Sequence, residues 1–420
     1  MADLMIKDGT LLTMEGAILN EGVVVVDNGL ITFVGKDTEE KADKIIDAKG
    51  CAVMPGLINA HTHLSMTLFR GYADGLSYAE WMKKIQQAEI KLSPADIRAG
   101  AYLGALEMIK SGTTAFADMY IYMDEVARVV KETGIRAALG YGMIEGLNKD
   151  PDTKLKSRAG FNRKWNGKAG GRVTTMYAPH SAISCSKEFL IRVKELAMKD
   201  NSRIHIHVLE TEDELRLMKK RYGMCSVNFL DNIGLLGQGV LAAHCVWLSD
   251  GDIDILRNNN VNVVHCPSSN MSLGAGVAPV PKMLEKGINV ALGTDSAASG
   301  GSLDMWKEMR AASYLHKLKD PQAMPASTVL GMATVNGAQA LGIKAGVLKP
   351  GYLADIILVD LKKPQFASAN LISALLHGAS GCDVRTTIVN GEILMEDHEV
   401  KVMDEENIID DAKAAMLRYF

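Results

Sequence analysis

Short apolar runs alternate with amphipathic stretches through the middle of the chain. The runs are Gly56–Ala60, Thr113–Asp118, Ala137–Tyr141, Val173–Ala178, Ile204–Leu209, Val240–His244, Val261–His265 and Asn289–Thr294. Helical periodicity fills the gaps, as in Ser93–Ser111, Ser186–Lys199 and Thr211–Tyr222. Ser93-Pro94 fits an N-cap followed by proline at the first helical position. Strand runs separated by helical segments predict a parallel sheet, and eight of them predict an α/β fold built on a (β/α)8 TIM barrel. Residues 146–170 are polar and rich in Gly and Lys, which predicts a mobile loop or loop-helix. There is no internal repeat and no low-complexity tract.

The chain ends have a different texture. Met5–Ile6, Gly22–Val26, Ile31–Val34 and Ala52–Val53 are short β-rich pieces, separated by the turn signals Asp8-Gly9, Asn28-Gly29 and Lys49-Gly50. Asp355–Val359, Arg385–Val389 and Glu392–Met395 repeat that pattern, with Asn390-Gly391 as a hairpin signal. Neither end is long enough for a sandwich alone. Together, residues 1–55 and 346–420 predict one small β-sandwich domain with a C-terminal helix, and residues 56–345 a barrel domain.

Charge narrows the function. The 46 Lys+Arg and 50 Asp+Glu leave a net of −4, with no basic excess to neutralise phosphates, so no nucleic-acid partner is expected. No apolar run reaches about 18 residues, so no membrane partner is expected either. The N-terminus MADLMIKDGT lacks an apolar signal core, so secretion is not expected and a cytoplasmic location is. The six cysteines form no CxxC pair, as expected of free buried thiols in a reducing compartment.

The polar residues fall where a barrel enzyme keeps its chemistry. His61 and His63 close the first run, and residues i and i+2 of a strand share a face. His205 and His207 close the fifth, with Glu210 three residues on. His244 closes the sixth and Asp295 the eighth. The carboxyl ends of barrel strands carry active sites in this fold. A lone histidine in an apolar run is more often a packed core residue, but His61, His63, His207 and His244, four of the ten histidines, plus an acid at the ends of barrel strands outweigh that reading. Imidazole and carboxylate donors suit zinc, and also accept Fe2+ or Mn2+. His205 competes with His207 as a ligand and is otherwise read as a packed or supporting group. The fourth run, Val173–Ala178, offers no lysine to bridge two metals, so one divalent metal per chain is expected.

Several stretches carry a family resemblance over essentially the whole length. They include Pro55-Gly56-Leu57-Ile58-Asn59-Ala60-His61-Thr62-His63, Thr67-Leu68-Phe69-Arg70-Gly71, Ala178-Pro179-His180-Ser181, His207-Val208-Leu209-Glu210-Thr211, Ala243-His244-Cys245 and Gly293-Thr294-Asp295. Asn336-Gly337-Ala338-Gln339-Ala340-Leu341-Gly342 and Lys349-Pro350-Gly351-Tyr352-Leu353-Ala354-Asp355 complete the set. The chain resembles the amidohydrolase superfamily. Within it, the chain is similar to the methylthioadenosine/S-adenosylhomocysteine deaminases, and most to the 5′-deoxyadenosine deaminases of methanogenic archaea. The resemblance implies a metal held by His61, His63, His207 and Asp295. It implies Glu210 as the proton shuttle at the purine, His244 beside the hydrolytic water, and Asp295 as acceptor of the water proton. It also places Glu89 at the ribose hydroxyls and His180 near the sugar or 5′ side. On spacing alone Glu89 reads as a solvated helix acid. A homo-oligomer, dimer or tetramer, is expected from the resemblance only.

Relatives that prefer S-adenosylhomocysteine can place arginines after the third strand and in the following loop, regions where this chain offers Tyr141 and Lys154. Lys154, or Arg158 nearby, would meet the amino-acid carboxylate differently, which favours small 5′ groups. Trp81, Phe69 and Leu68 are candidates for the purine or sugar wall, with core packing as the alternative. Ser299-Gly300-Gly301-Ser302 is expected as a flexible rim. His265, His316, His377 and His398 are assigned to structure or surface. The expected reaction is hydrolytic deamination of the adenine C6 amino group of nucleoside substrates. The alternative on the same scaffold is a guanine, cytosine or triazine deaminase or hydrolase.

Overall fold

The fold is described from a computed structural model, which describes residues 1–145 and 151–419. Eight parallel strands follow one another in sequence order: Leu57–Thr62, Thr113–Tyr120, Arg136–Met143, Val173–Pro179, Arg203–Val208, Val240–His244, Asn262–His265 and Val290–Leu292. Each matches one expected run. The two edges meet where Asp295 N donates to His61 O at 3.0 Å and Thr62 bridges Asp295, so the barrel is nearly closed. Pairing between the first two strands shifts register between Asn59 and Thr62, so the backbone is irregular beside His61. Such breaks re-aim side chains next to active sites. Ile58, Ala60, Ala115, Ala117, Ala138, Leu241, Val264 and Ala291 form one apolar cluster with residues of the helix Val335–Leu341.

The chain ends come together as expected. Ala2–Leu11, Leu19–Asp27, Leu30–Gly35, Ala42–Asp47 and Cys51–Pro55 join Ile356–Asp360, Val384–Val389, Glu392–Glu396 and Glu399–Val400. All belong to one nine-stranded sheet. Cys51–Pro55 is the seam, parallel to Ala2–Leu11 and antiparallel to Ile356–Asp360. Leu4, Ile6, Val24, Val26, Val53, Ile356, Leu358 and Ile388 share a single core beneath it. The Asn28-Gly29 and Asn390-Gly391 turns have φ of 51° and 75°, and 54° and 77°, the left-handed pair that a two-residue hairpin turn requires.

Two contacts tie the sheet and the chain end to the barrel. Arg136 and Asp355 form a buried two-point ion pair, Nε–Oδ2 2.7 Å and Nη2–Oδ1 3.0 Å. The last helix, Glu405–Met416, packs on the barrel helix Pro94–Lys110, and Tyr419 donates to Asp96 at 2.8 Å. Arg418 pairs with the same carboxylate.

Of the polar segment 146–170, residues 146–150 lie outside the described residues, and Pro151–Trp165 is a helix. Leu155, Ala159 and Asn162 fall on one buried face of it. Five cysteines are buried, Cys382 is exposed, and all six are free. Among the described residues, no helix is long and apolar enough to cross a membrane.

Candidate active site

The expected imidazoles and acids converge at the carboxyl ends of the barrel strands. His61 lies in the first strand and His63 just past it, at the start of the 3-10 helix Leu64–Phe69. His207 comes from the fifth strand, and His244 is the last residue of the sixth. His244 (φ 71°), Cys245 (50°), Leu209 (47°) and Asp295 (56°) all sit in the left-handed region. Side chains other than glycine are strained there, and such strain gathers where the surrounding structure must hold functional groups in place.

Each ring is pinned at Nδ1. His63 Nδ1 meets the Met119 carbonyl, and His207 Nδ1 meets the His180 carbonyl at 2.8 Å. His244 Nδ1 meets Asn270 Oδ1 at 2.9 Å. His61 Nδ1 lies 2.8 Å from His205 Nε2. Partners of this kind fix tautomer and orientation, leaving Nε2 toward the centre. For His61 to present a lone pair at Nε2, its Nδ1 must donate to His205. His205 then carries its own proton on Nδ1, a buried atom with no partner. His205 thus supports His61.

Asp295 Oδ1 lies 3.4 Å from His61 Nε2 and 3.3 Å from His63 Nε2. Its Oδ2 accepts from Ser269 at 2.6 Å and Ser299 at 3.2 Å. Donor atoms of His61, His207 and His244 lie within 4.8 Å of one another, as do those of His61, His63 and Asp295. His61 Nε2 is buried without a hydrogen-bond partner, as expected of a nitrogen that faces a metal. The set fits a divalent metal ion.

Electrostatics follow from burial and these neighbours. Burial lowers His61 to about 4 and takes His207 well below its usual range. Burial also opposes charge on His244, but Glu210 and Asp295 outweigh it and raise that ring. Asp295 would rise on burial, but His61 and the other imidazoles hold it well below the carboxylate range. Burial raises Glu210, partly offset by His244.

Glu210 lies beside the cluster and accepts from Tyr78 at 3.0 Å. With Tyr78, Met82, His180, His207 and Leu217 it lines a cavity of about 300 Å³. The His180 ring is 4.7 Å from that of His207, and burial lowers it to about 4. Glu89 ends the helix Tyr78–Glu89 and is half-buried there, not fully solvated as its spacing suggests, and desolvation raises its carboxyl. It accepts from Tyr120 at 2.8 Å. Trp81 is buried, with Nε1 donating to the Ala298 carbonyl at 3.3 Å. Leu68 and Phe69 are fully buried in the main core. Lys154 is turned onto the Ile144 carbonyl. Tyr141 carries the Arg158 guanidinium 3.5 Å above its ring.

One expectation is overturned. Ser299-Gly300-Gly301-Ser302 is not an open rim: Ala297–Gly300 is a helical turn capped by Ser296, and Ser299 and Ser302 are buried. The Asp295 carboxylate holds Ser299 from below, a tie that Gly-Ser composition does not reveal. Ser269, Asn270 and Tyr78 enter the site without having been expected. Tyr78 opens the helix Tyr78–Glu89, and Ser269 and Asn270 lie in the short helix Pro267–Ser272, with no spacing to mark any of them.

Residues 52–394 match the model of the Amidohydrolase family. A 5′-deoxyadenosine deaminase of Methanosarcina acetivorans is 55% identical, over 99% of this chain and 98% of its own length. A 5-methylthioadenosine/S-adenosylhomocysteine deaminase of Pelotomaculum thermopropionicum is 45% identical, over 100% of this chain and 99% of its own. The crystal structure of an adenosine deaminase from Xanthomonas campestris with bound zinc superposes with a TM-score of 0.96. It is 31% identical and covers 100% of this chain and 98% of that one. With a barrel of this topology, a converged imidazole and carboxylate cluster at its mouth and these matches, the chain belongs to the amidohydrolase family.

Proposed function

We propose that this enzyme hydrolyses the C6 amino group of 5′-substituted adenosines, giving the inosine analogue and ammonia. 5′-Deoxyadenosine, methylthioadenosine, S-adenosylhomocysteine and adenosine are its substrate class. The observation that carries the reading is Glu210, a half-buried carboxyl that desolvation holds above its usual range, set beside a donor cluster fit for a metal. Relatives named as deaminases of such nucleosides, at 45–55% identity over nearly the whole chain, support it.

His61, His63, His207 and Asp295 would hold one divalent metal, zinc foremost, which supplies a water activated for attack at neutral pH. The remaining work falls to the chain. Glu210 delivers a proton to the purine N1 as the ring takes up electron density. Asp295, ionised because the imidazoles hold its pKa low, accepts one proton of the attacking water, which leaves with the amino group as ammonia, and the other proton returns to Glu210 as the C6 oxygen becomes a carbonyl. His244, held by Asn270, orients the nucleophile and faces the developing charge. Glu89 accepts from the ribose hydroxyls, and His180 contacts the sugar side. Trp81 closes the wall behind them. With Lys154 turned onto a carbonyl and Arg158 stacked on Tyr141, small 5′ groups are favoured over a homocysteine tail.

The proposal extends to a homo-oligomer of two or four chains in the cytoplasm, and to residues 1–55 with 346–420 as a unit distinct from 56–345. Turnover in 18O-water tests the chemistry. The proposal requires one labelled oxygen at C6 of the product and one ammonia per turnover. An unlabelled product, or base release without deamination, refutes it.

A further inference from the structure

Glu210 has its backbone and its side chain fixed by different elements. Its N–H donates to Glu214 Oε2 at 3.1 Å, and the N–H of Leu209 donates to Glu214 Oε1 at 3.0 Å. The side chain is held from across the cavity. Among the described residues, the Tyr78 hydroxyl supplies the one side-chain hydrogen bond to the Glu210 carboxyl, at Oε2.

Tyr78 is itself well placed to aim that bond. It is the first residue of its helix, directly after the cap Ser77, whose N–H and hydroxyl donate to Glu80 at 3.2 and 2.6 Å. The reciprocal cap fixes the helix start. Trp81 on Ala298 and Glu89 on Tyr120 fasten the same helix farther along. A tyrosine hydroxyl both donates and accepts, but burial and the Glu210 carboxyl push its ionisation far above the neutral range. It remains a donor wherever the enzyme works.

We propose that Tyr78 is a positioning residue for proton transfer, fixing Glu210 so that Oε2 is engaged and Oε1 carries the transferable proton. The inference rests on the deaminase reading above. A carboxyl oxygen that already accepts a hydrogen bond is the less basic of the two, so the acidic hydrogen resides on the other. Once Oε1 has given its proton to the purine N1, the carboxylate that remains is stabilised by a charge-assisted bond from Tyr78. The bond is therefore stronger after proton transfer than before it, and such interactions raise kcat without changing substrate binding.

The test is Tyr78→Phe on the metal-loaded enzyme, with melting temperature and metal content as controls. The ring and its packing remain, and one hydroxyl is lost. The expected result is a fall in kcat of about ten-fold or more, with KM within about two-fold of the wild type. In a Glu210→Gln background the same substitution is expected to add nothing. A raised KM with unchanged kcat would assign Tyr78 to docking of its helix and overturn the proposal. Unchanged kinetics, or a full further loss in the Glu210→Gln background, would overturn it too. A wild type inactive on every adenosine refutes the reaction itself. An active wild type with an equally active Phe variant refutes only the role of Tyr78.

Discussion

Replacing Glu210 by glutamine removes an acidic proton and little else. The two side chains have nearly the same volume, and the amide oxygen still accepts from Tyr78 at the position of Oε2. The proposed metal donors keep their supports: His207 on the His180 carbonyl, His61 on His205 and Asp295 on Ser269. The purine N1 loses the carboxyl proton proposed for it, and His180, lowered to about 4 by burial, is neutral at pH 7 and does not replace it. General acid catalysis is worth about 10²–10⁴-fold, or about 3–5 kcal/mol on the barrier. Steady-state kinetics on 5′-deoxyadenosine, with metal content by elemental analysis, should therefore give full metal occupancy, a KM within a few-fold of wild type, and kcat lower by that factor. A variant that binds metal and keeps more than about a tenth of the rate contradicts Glu210 as the acid.

Other perturbations probe separate links. Glu89→Gln should lower kcat/KM for adenosines by about ten-fold or more, since bonds to a charged acceptor are worth about 1.5–3 kcal/mol, while leaving free adenine unaffected; equal losses on both would remove Glu89 from the ribose. His205→Ala strips His61 Nδ1 of its partner and should weaken metal retention about 10–100-fold in chelator competition; unchanged retention would make His205 a packing residue. Burial alone would raise Asp96, but bonds from Ser93, Arg418 and Tyr419 outweigh it and hold it at about 2. Its folded pKa is below the unfolded value, so its stabilisation is present above about pH 4 and lost as pH falls toward 2. Asp96→Asn should then be less stable at neutral pH, with a shallower acid limb in denaturant unfolding between pH 4 and 2; parallel curves would refute the linkage.

Much of this arrangement was legible before any coordinates. Barrel strands buried on both faces read as continuous apolar runs, and a polar residue ending such a run stands out. His61, His207, His244 and Asp295 were visible for that reason. Tyr78 and Asn270 were not, because their roles arise from contacts across 132 and 26 positions of sequence that no local pattern encodes. Glu89 looked like a surface acid because helix spacing says which face a residue shares, not what covers it. Ser299-Gly300-Gly301-Ser302 misled for the opposite reason. Its composition favours a loop, but the Asp295 carboxylate and a helical cap order it. The helix Pro151–Trp165 was obscured by its charge, because Lys154 is buried and Arg158 half-buried on the side that carries Leu155 and Ala159, while Lys156, Arg163 and Lys164 are exposed.

The most direct test is a kcat/KM series on metal-loaded enzyme with 5′-deoxyadenosine, methylthioadenosine, adenosine, S-adenosylhomocysteine and adenine. The account predicts deamination of the nucleosides, highest for those with small 5′ groups, lower for S-adenosylhomocysteine and lowest for the free base. Preference for adenine, or no turnover of any nucleoside with metal bound, would contradict it.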